Sequence, residues 1–345
     1  MIELNPLTRY FADIRVRLTE MTIAYGWPEF ELQIERHLTH TNLPSHVILP
    51  IASAAAVGGN PRHALSVATA CGLLTVSMRW FDDVQDHDRK ESLWEDLGYG
   101  RAVNMAAAAL SAAWHILSED EELPKKALDA FGKQMISLAR GQDLDLQGGV
   151  APTLDEYWDL MRGKTGAALA FGCELGALAG SSNDSLAKTC SRFGEHLGVL
   201  VQILDDLDGA FHPNGIGDLH AGKVTLPVLY GLAINHPSQD ELANIVHGGH
   251  LSQNGDRVLE ILKSIDTREF LIWCAFEERK QALACLGELP AMEGEDVCAG
   301  RDALIAFADS LMVGWEDLLE QFDQPSWGRN QVDSQQGCRQ EECIP

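Results

Sequence analysis

The feature that most limits how this chain can fold is an apolar helical run that stops in carboxylates, and it occurs twice. Ala64 to Met78 is almost wholly apolar, too long for a strand and free of proline, and it leads into Trp80-Phe81-Asp82-Asp83-Val84-Gln85-Asp86-His87-Asp88-Arg89. On a helix Asp82 and Asp86 share one face, with Asp83 beside them. Val199 to Leu204 repeats the device, ending in Asp205-Asp206-Leu207-Asp208 with Asp205 and Asp208 on one face. Like charges so placed repel, so each helix end needs a cation or open water. Two such ends facing each other across a cavity can hold metal ions and a diphosphate between them. Taken singly, each reads equally well as a solvated acidic helix end. Hard oxygen donors with no Cys or His at matching spacing select magnesium, which takes few carboxylates and fills its shell with water and phosphate.

A chain of 345 residues can bury a large core, and no Pro/Gly/Ser-rich linker divides it. The formal net charge of −25 excludes the clustered basic surface that nucleic acid requires. The eight cysteines are scattered, most of them within apolar helical runs where a thiol packs as a small hydrophobe. The N-terminus lacks the basic start and apolar run of a signal peptide, and no uninterrupted apolar run of about twenty residues stands out, so the expected location is cytoplasmic.

Read in order, residues 1–40 give one or two amphipathic helices broken near Gly26-Trp27-Pro28. Leu43 to Val57 is a helix stopped by Gly58-Gly59-Asn60-Pro61. Gly98 to Leu117, with its Ala-rich segment Ala102 to Ala113, Leu128 to Leu146 and Leu154 to Ala179 follow as helices, and His212 to Gly222 is a loop. No strand-type alternation persists. The expected fold is all-α: a single domain over 1–322, about ten or more helices around a central cavity, followed by a polar tail from Asp323.

These motifs, in this order, resemble the trans-isoprenyl diphosphate synthase and class I terpene synthase superfamily over roughly Leu43 to Leu232. Asp82, Asp83 and Asp86 match its first DDxxD motif. In the second, Gln202, Ile203, Asp205 and Asp206 match, but Gly209 occupies the third position and Asp208 falls one place early. Lys164-Thr165, Gly141-Gln142 with Asp145, and Lys223 ahead of Thr225-Leu226-Pro227 match further elements. The resemblance implies that Asp82, Asp83, Asp86, Asp205, Asp206 and Asp208 bind Mg2+, and that Lys164, Lys223, Gln142, Thr165, Gln202 and Arg89 contact the diphosphate. Asp82, Asp83, Asp86 and Lys164 are its implied catalytic set. The family usually forms homodimers, and the segment Ala102 to Ala113 suits a close interface. Chain-elongating members also carry a basic element that holds isopentenyl diphosphate; counting back from Gly58, this chain offers Leu43, Pro44 and His46 there, and only Arg89-Lys90 downstream of the first motif.

That departure points to a prenyltransferase acting on an acceptor other than isopentenyl diphosphate, and the short spacing to Leu93-Trp94 is similar to the peptide-pheromone tryptophan prenyltransferases. A class I terpene synthase, a chain-elongating polyprenyl diphosphate synthase and a non-catalytic regulatory subunit are the alternatives. Trp80, Phe81, Trp158, Phe171 and Phe211 are candidates to face a carbocation and equally candidates for plain core. Ser77 and Met78, neither aromatic, leave the pocket floor open toward farnesyl or geranylgeranyl length.

Overall fold

A computed structural model describes residues 5–40, 44–85, 92–147, 153–211 and 217–315, apart from the side chains at 39, 40, 144, 145 and 147. Every regular element among the described residues is helical. The chain begins with α1 (Tyr10–Ala24) and α2 (Pro28–Ile34), parted at Gly26, whose φ of +62° suits glycine and stops α1 before Pro28 opens α2. Then come α3 (Ile48–Ala56), α4 (Leu65–Gln85), α5 (Leu93–Leu97), α6 (Tyr99–Ser118) and α7 (Lys125–Gln147). The second half holds α8 (Leu154–Met161), α9 (Ala167–Gly180), α10 (Asp184–Phe211), α11 (Asp218–Ala221) and α12 (Leu226–Ala233). It closes with α13 (Gln239–His247), α14 (Gly255–Ser264), α15 (Thr267–Gly287) and α16 (Glu295–Leu311).

Helix α9 is the hub, because small residues let three neighbours reach its backbone. A Cβ added at Gly194 or Gly198 of α10 would lie 2.5 Å from the Leu169 carbonyl and 2.2 Å from the Thr165 carbonyl. These pairings run in opposite senses, so α10 is antiparallel to α9. A Cβ at Gly176 or Gly180 of α9 would lie 2.2 Å from the Pro50 carbonyl and 2.5 Å from the Ala54 carbonyl, so α3 runs parallel to it. Helix α4 folds back on α3, with Thr75 against His46 and Gly72 beside Val47, and its Cys71 meets Gly172 of α9. Hence α4 and α10 run parallel, both opposite to α9. Their acidic C-terminal ends, and the Lys164-Thr165 turn that precedes α9, all lie at one end of the bundle. Along α4, Asp82 stands about 16 Å beyond Cys71, at a rise of ~1.5 Å per residue.

The helix expected over Leu154 to Ala179 is interrupted. Arg162–Gly166 forms a turn of π-helix between α8 and α9, which sequence periodicity did not signal. The wider turn carries Lys164 and Thr165 where α10 crosses at Gly198. By length and composition alone Pro61–Gln85 could cross a membrane, but 72% of its most apolar window is buried inside the protein, as in a core helix. Beside the main core a smaller one joins α11 to α14 through Leu219, Val228, Leu242, Val258 and Leu262. The expected domain boundary at 322/323 and the polar tail lie outside the described residues.

Candidate active site

Four stretches of sequence meet around Asp206. The side chain is 2% exposed and both of its oxygens are engaged. Oδ1 accepts from Gln202 Nε2 at 2.9 Å, while Oδ2 accepts from the Tyr157 hydroxyl at 2.8 Å and the Leu226 backbone N–H at 3.2 Å. Gln202 in turn accepts at Oε1 from the Thr165 hydroxyl at 2.8 Å. Burial pushes the Asp206 carboxyl up to about 6, against the three donors, which favour the charged form. Asp206, expected among the metal ligands, thus spends its carboxylate on protein donors.

Asp205 and Asp208 face the other way and are exposed. The Asp205 pKa is raised, first by the surrounding protein and then by Asp208, with Lys223 and Lys164 opposing the rise. Two carboxylates and two ammonium groups from three elements therefore share one field. A further carboxylate joins them that the sequence reading passed over. Asp218 opens α11, and its pKa is raised by burial and by Asp205, and lowered by Lys223. A Cβ added at Gly209 would lie 2.2 Å from Asp218 Oδ2. The carboxylate absent from the third motif position is thus replaced, at that spot, by one from the following loop. The signal was Gly209 itself: a glycine late in a long helix marks a close approach. The loop start is equally tight, since a Cβ at Gly217 would lie 1.9 Å from the Gly209 carbonyl.

Asp82 and Asp83 are partly buried at the end of α4, and the Asp83 carbonyl accepts from Trp94 Nε1 at 2.9 Å. Asp86 and Arg89 lie outside the described residues, as does the Asp145 side chain. Trp80 and Ser77 are core: Trp80 is 0% exposed, edge-on to His37, and the Ser77 hydroxyl donates to the Ala106 carbonyl at 2.8 Å. Trp158 and Phe171 are buried as well, Phe171 edge-on to Phe131, whereas Phe81 and Phe211 are only partly buried.

Among the described residues no three His, Cys, Asp or Glu side chains converge as they would around a tightly caged ion. The donor set suits instead a hard divalent cation that takes one or two carboxylates and completes its shell with water and phosphate oxygen. Two motif residues also hold shielded polar atoms without a protein partner, Gln142 Oε1 and Thr225 Oγ1. Such atoms are costly to bury unless something else bonds them, which fits a polar ligand at this end of the bundle.

Among the departures in the first half, His46 lies within the described residues. Its ring is enclosed beside α4, where Thr75 Oγ1 lies 2.8 Å from Nε2 and itself donates to the Cys71 carbonyl at 2.9 Å. Burial pushes the His46 pKa down to about 4, so the ring is neutral at pH 7.

The sequence profile of the polyprenyl synthetase family matches residues 46–265. A geranylgeranyl diphosphate synthase of Mycobacterium tuberculosis is 30% identical over 267 residues, covering 73% of this chain and 76% of its own length. Among solved structures, a decaprenyl diphosphate synthase from Rhodobacter capsulatus superposes with a TM-score of 0.78 at 20% identity, over 88% of this chain and 96% of its own. A polyprenyl synthase from Caulobacter crescentus, solved with calcium and isoprenyl diphosphate, gives 0.73 at 21% identity, over 88% and 95%. The structural likenesses are of fold; the profile and the sequence relative carry the assignment, and this chain belongs to the polyprenyl synthetase family.

Proposed function

We propose that this prenyl-transfer enzyme elongates an allylic diphosphate with isopentenyl diphosphate, rather than using the other acceptor that the sequence departures suggested. The relatives reported above include a geranylgeranyl and a decaprenyl diphosphate synthase, and the observation that carries the reading is the grouping of Asp205, Asp208 and Asp218 with Lys164 and Lys223. In the reaction the allylic C1–O bond breaks and its electron pair leaves on the diphosphate. The terminal carbon of the isopentenyl double bond then attacks C1, which leaves a tertiary cation on the neighbouring carbon, and a proton is lost from the CH2 on the far side of that cation, so that a new allylic double bond forms. Lys164 and Lys223 hold the leaving diphosphate and stabilise the charge that gathers on it. Asp205, Asp208 and Asp218, with Asp82 and Asp83 of α4 and Asp86 of the same sequence motif, are the carboxylates that hold divalent metal, read here as Mg2+. That metal, when bound, neutralises diphosphate charge as a Lewis acid. Gln142 and Arg89 add contacts to the same group. A homodimer, a cytoplasmic location and a single catalytic domain over 1–322 complete the proposal.

A second reading has its own observation. His46 stands where chain-elongating members are expected to carry a cation, and it is neutral and already hydrogen-bonded to Thr75. That favours an acceptor without a diphosphate. Incubation with Mg2+ and geranyl, farnesyl or geranylgeranyl diphosphate, with and without isopentenyl diphosphate, separates the two by mass spectrometry. Longer diphosphates formed only in its presence support elongation. Diphosphate released equally in its absence, as alcohol or hydrocarbon accumulates, overturns it.

A further inference from the structure

The carboxylate at 206 occupies a motif position and behaves like a joint. It collects donors from α8 (Tyr157), from α10 itself (Gln202) and from the first turn of α12 (Leu226 N–H). Gln202 extends the contact to the π-turn through Thr165. The groups that carry charge sit next to these anchors: Lys164 precedes Thr165, Asp205 precedes Asp206, and Lys223 lies three residues before Leu226. Each donor is 2.8–3.2 Å from its acceptor.

We propose that Tyr157 is a positioning residue which, through Asp206, clamps the Lys164 turn, the Asp205 helix end and the Lys223 segment in one register. Asp206, Gln202 and Thr165 form the clamp, and the Asp206 carboxylate is spent within it rather than on metal. The inference rests on the proposed function only in taking Lys164, Lys223 and Asp205 as the groups that face the diphosphate. Its reason is hydrogen-bond arithmetic: a buried carboxylate offers about four acceptor sites, and three are filled by groups whose removal would leave it short.

The chemistry of the clamp makes an unusual demand on Asp206→Asn. An amide nitrogen toward Gln202 is accommodated if the Gln202 amide turns over, so that Gln202 Oε1 accepts from Asn and Gln202 Nε2 donates to the rotated Thr165 hydroxyl. The remaining amide oxygen still accepts from Tyr157 and Leu226. A clamp therefore tolerates the loss of charge, whereas a metal ligand does not.

The test is titration calorimetry of inorganic pyrophosphate with Mg2+ into the purified full chain. Asp206→Asn is expected to stay within about threefold of the parent affinity, while Asp205→Asn loses about tenfold or more, on the scale of disrupting a metal site. Tyr157→Phe is expected to lower kcat with an allylic diphosphate about tenfold while KM moves less than about threefold, as misplacement of catalytic groups does. Equal loss in Asp206→Asn and Asp205→Asn at unchanged melting temperature overturns the clamp. A parent that binds no pyrophosphate condemns the proposed function instead. The clamp is then judged by the ligand-free double-mutant cycle of Tyr157→Phe with Thr165→Val, where non-additive melting temperatures support it and additive ones overturn it.

Discussion

Gly209→Ala is the sharpest probe of the second acidic cluster, because the structure makes stability and binding move apart. The new Cβ would lie 2.2 Å from Asp218 Oδ2, and ordinary contact begins at 3.4 Å, so the carboxylate has to retreat by about 1.2 Å. The obstacle is the end of a side chain, which can turn away, so the fold survives. Replacing glycine inside a helix by alanine even favours the helix by up to about 1 kcal/mol. Metal–ligand distances, by contrast, tolerate only about 0.2 Å. Disturbing a residue that supports a metal site typically costs 10–100-fold in affinity, or about 1.4–2.7 kcal/mol. Calorimetry with Mg2+ and pyrophosphate should therefore show that loss, while the melting temperature stays level or rises. The pair Gly209→Asp with Asp218→Asn, which returns the carboxylate to α10, should recover most of the affinity. Undiminished binding in Gly209→Ala would refute the reasoning, because Asp218 would then be a loop residue with no part in holding metal.

Gly198→Ala should behave in the opposite way: its Cβ meets the Thr165 carbonyl at 2.2 Å and Gly166 Cα at 2.5 Å, both backbone. It should destabilise by at least about 1–3 kcal/mol on urea unfolding, and an unchanged midpoint would show that α9 and α10 can part freely. Lys223→Ala should weaken pyrophosphate binding at low salt and flatten its salt dependence, since an exposed ammonium acts through a screened field; binding at parent strength would remove Lys223 from the site. His46 supplies a pH test. Its folded pKa of about 4 lies below the ordinary 6.5, so the unfolded chain takes the proton first and stability is lost as pH falls from about 6.5 to 4. At pH 4.5 the loss is about 2–3 kcal/mol. Asp206, with its pKa raised to about 6, has the opposite sign, its burial cost being relieved over the same range. The readout is therefore the difference between the parent chain and His46→Gln across pH 7 to 4.5, and a constant difference would mean that the ring is solvated.

The acidic helix ends, the Lys164-Thr165 pair and the all-helical class were legible because each is a local pattern: apolar periodicity, a charge at its end, a short motif. Periodicity did not show the π-turn at Arg162–Gly166, because it is set by the close crossing of α10 at Gly198, more than thirty residues away. Nor did it reveal Asp218. That residue reads as an ordinary loop acid until the fold lays Gly217 on Gly209. The same long-range logic separates Asp205 from Asp206. They are neighbours in one motif, yet a helix turns successive side chains about 100° apart. One carboxylate therefore stays exposed beside Lys164 and Lys223 while the other is driven into the joint between α8, α10 and α12.

The two halves of the chain therefore speak differently about chemistry. From Tyr157 to Leu226 the polar groups interlock, and lysines and carboxylates offset one another, as a leaving diphosphate and its metal require. Around His46 the corresponding polar groups satisfy each other internally, with Nε2 against the Thr75 hydroxyl and that hydroxyl against the Cys71 carbonyl. A neutral ring with its proton committed cannot balance a diphosphate. Elongation then requires the cation for isopentenyl diphosphate to come from a different element, and Arg36 and Arg79, which both act electrostatically on His37 beside Trp80, are the candidates tested first. Arg79→Gln decides the matter with one substrate pair. If it raises KM for isopentenyl diphosphate tenfold or more and leaves KM for the allylic diphosphate within about threefold, the acceptor site has been rebuilt one turn before Asp82. If neither constant moves, the argument for an acceptor without a diphosphate gains the same ground.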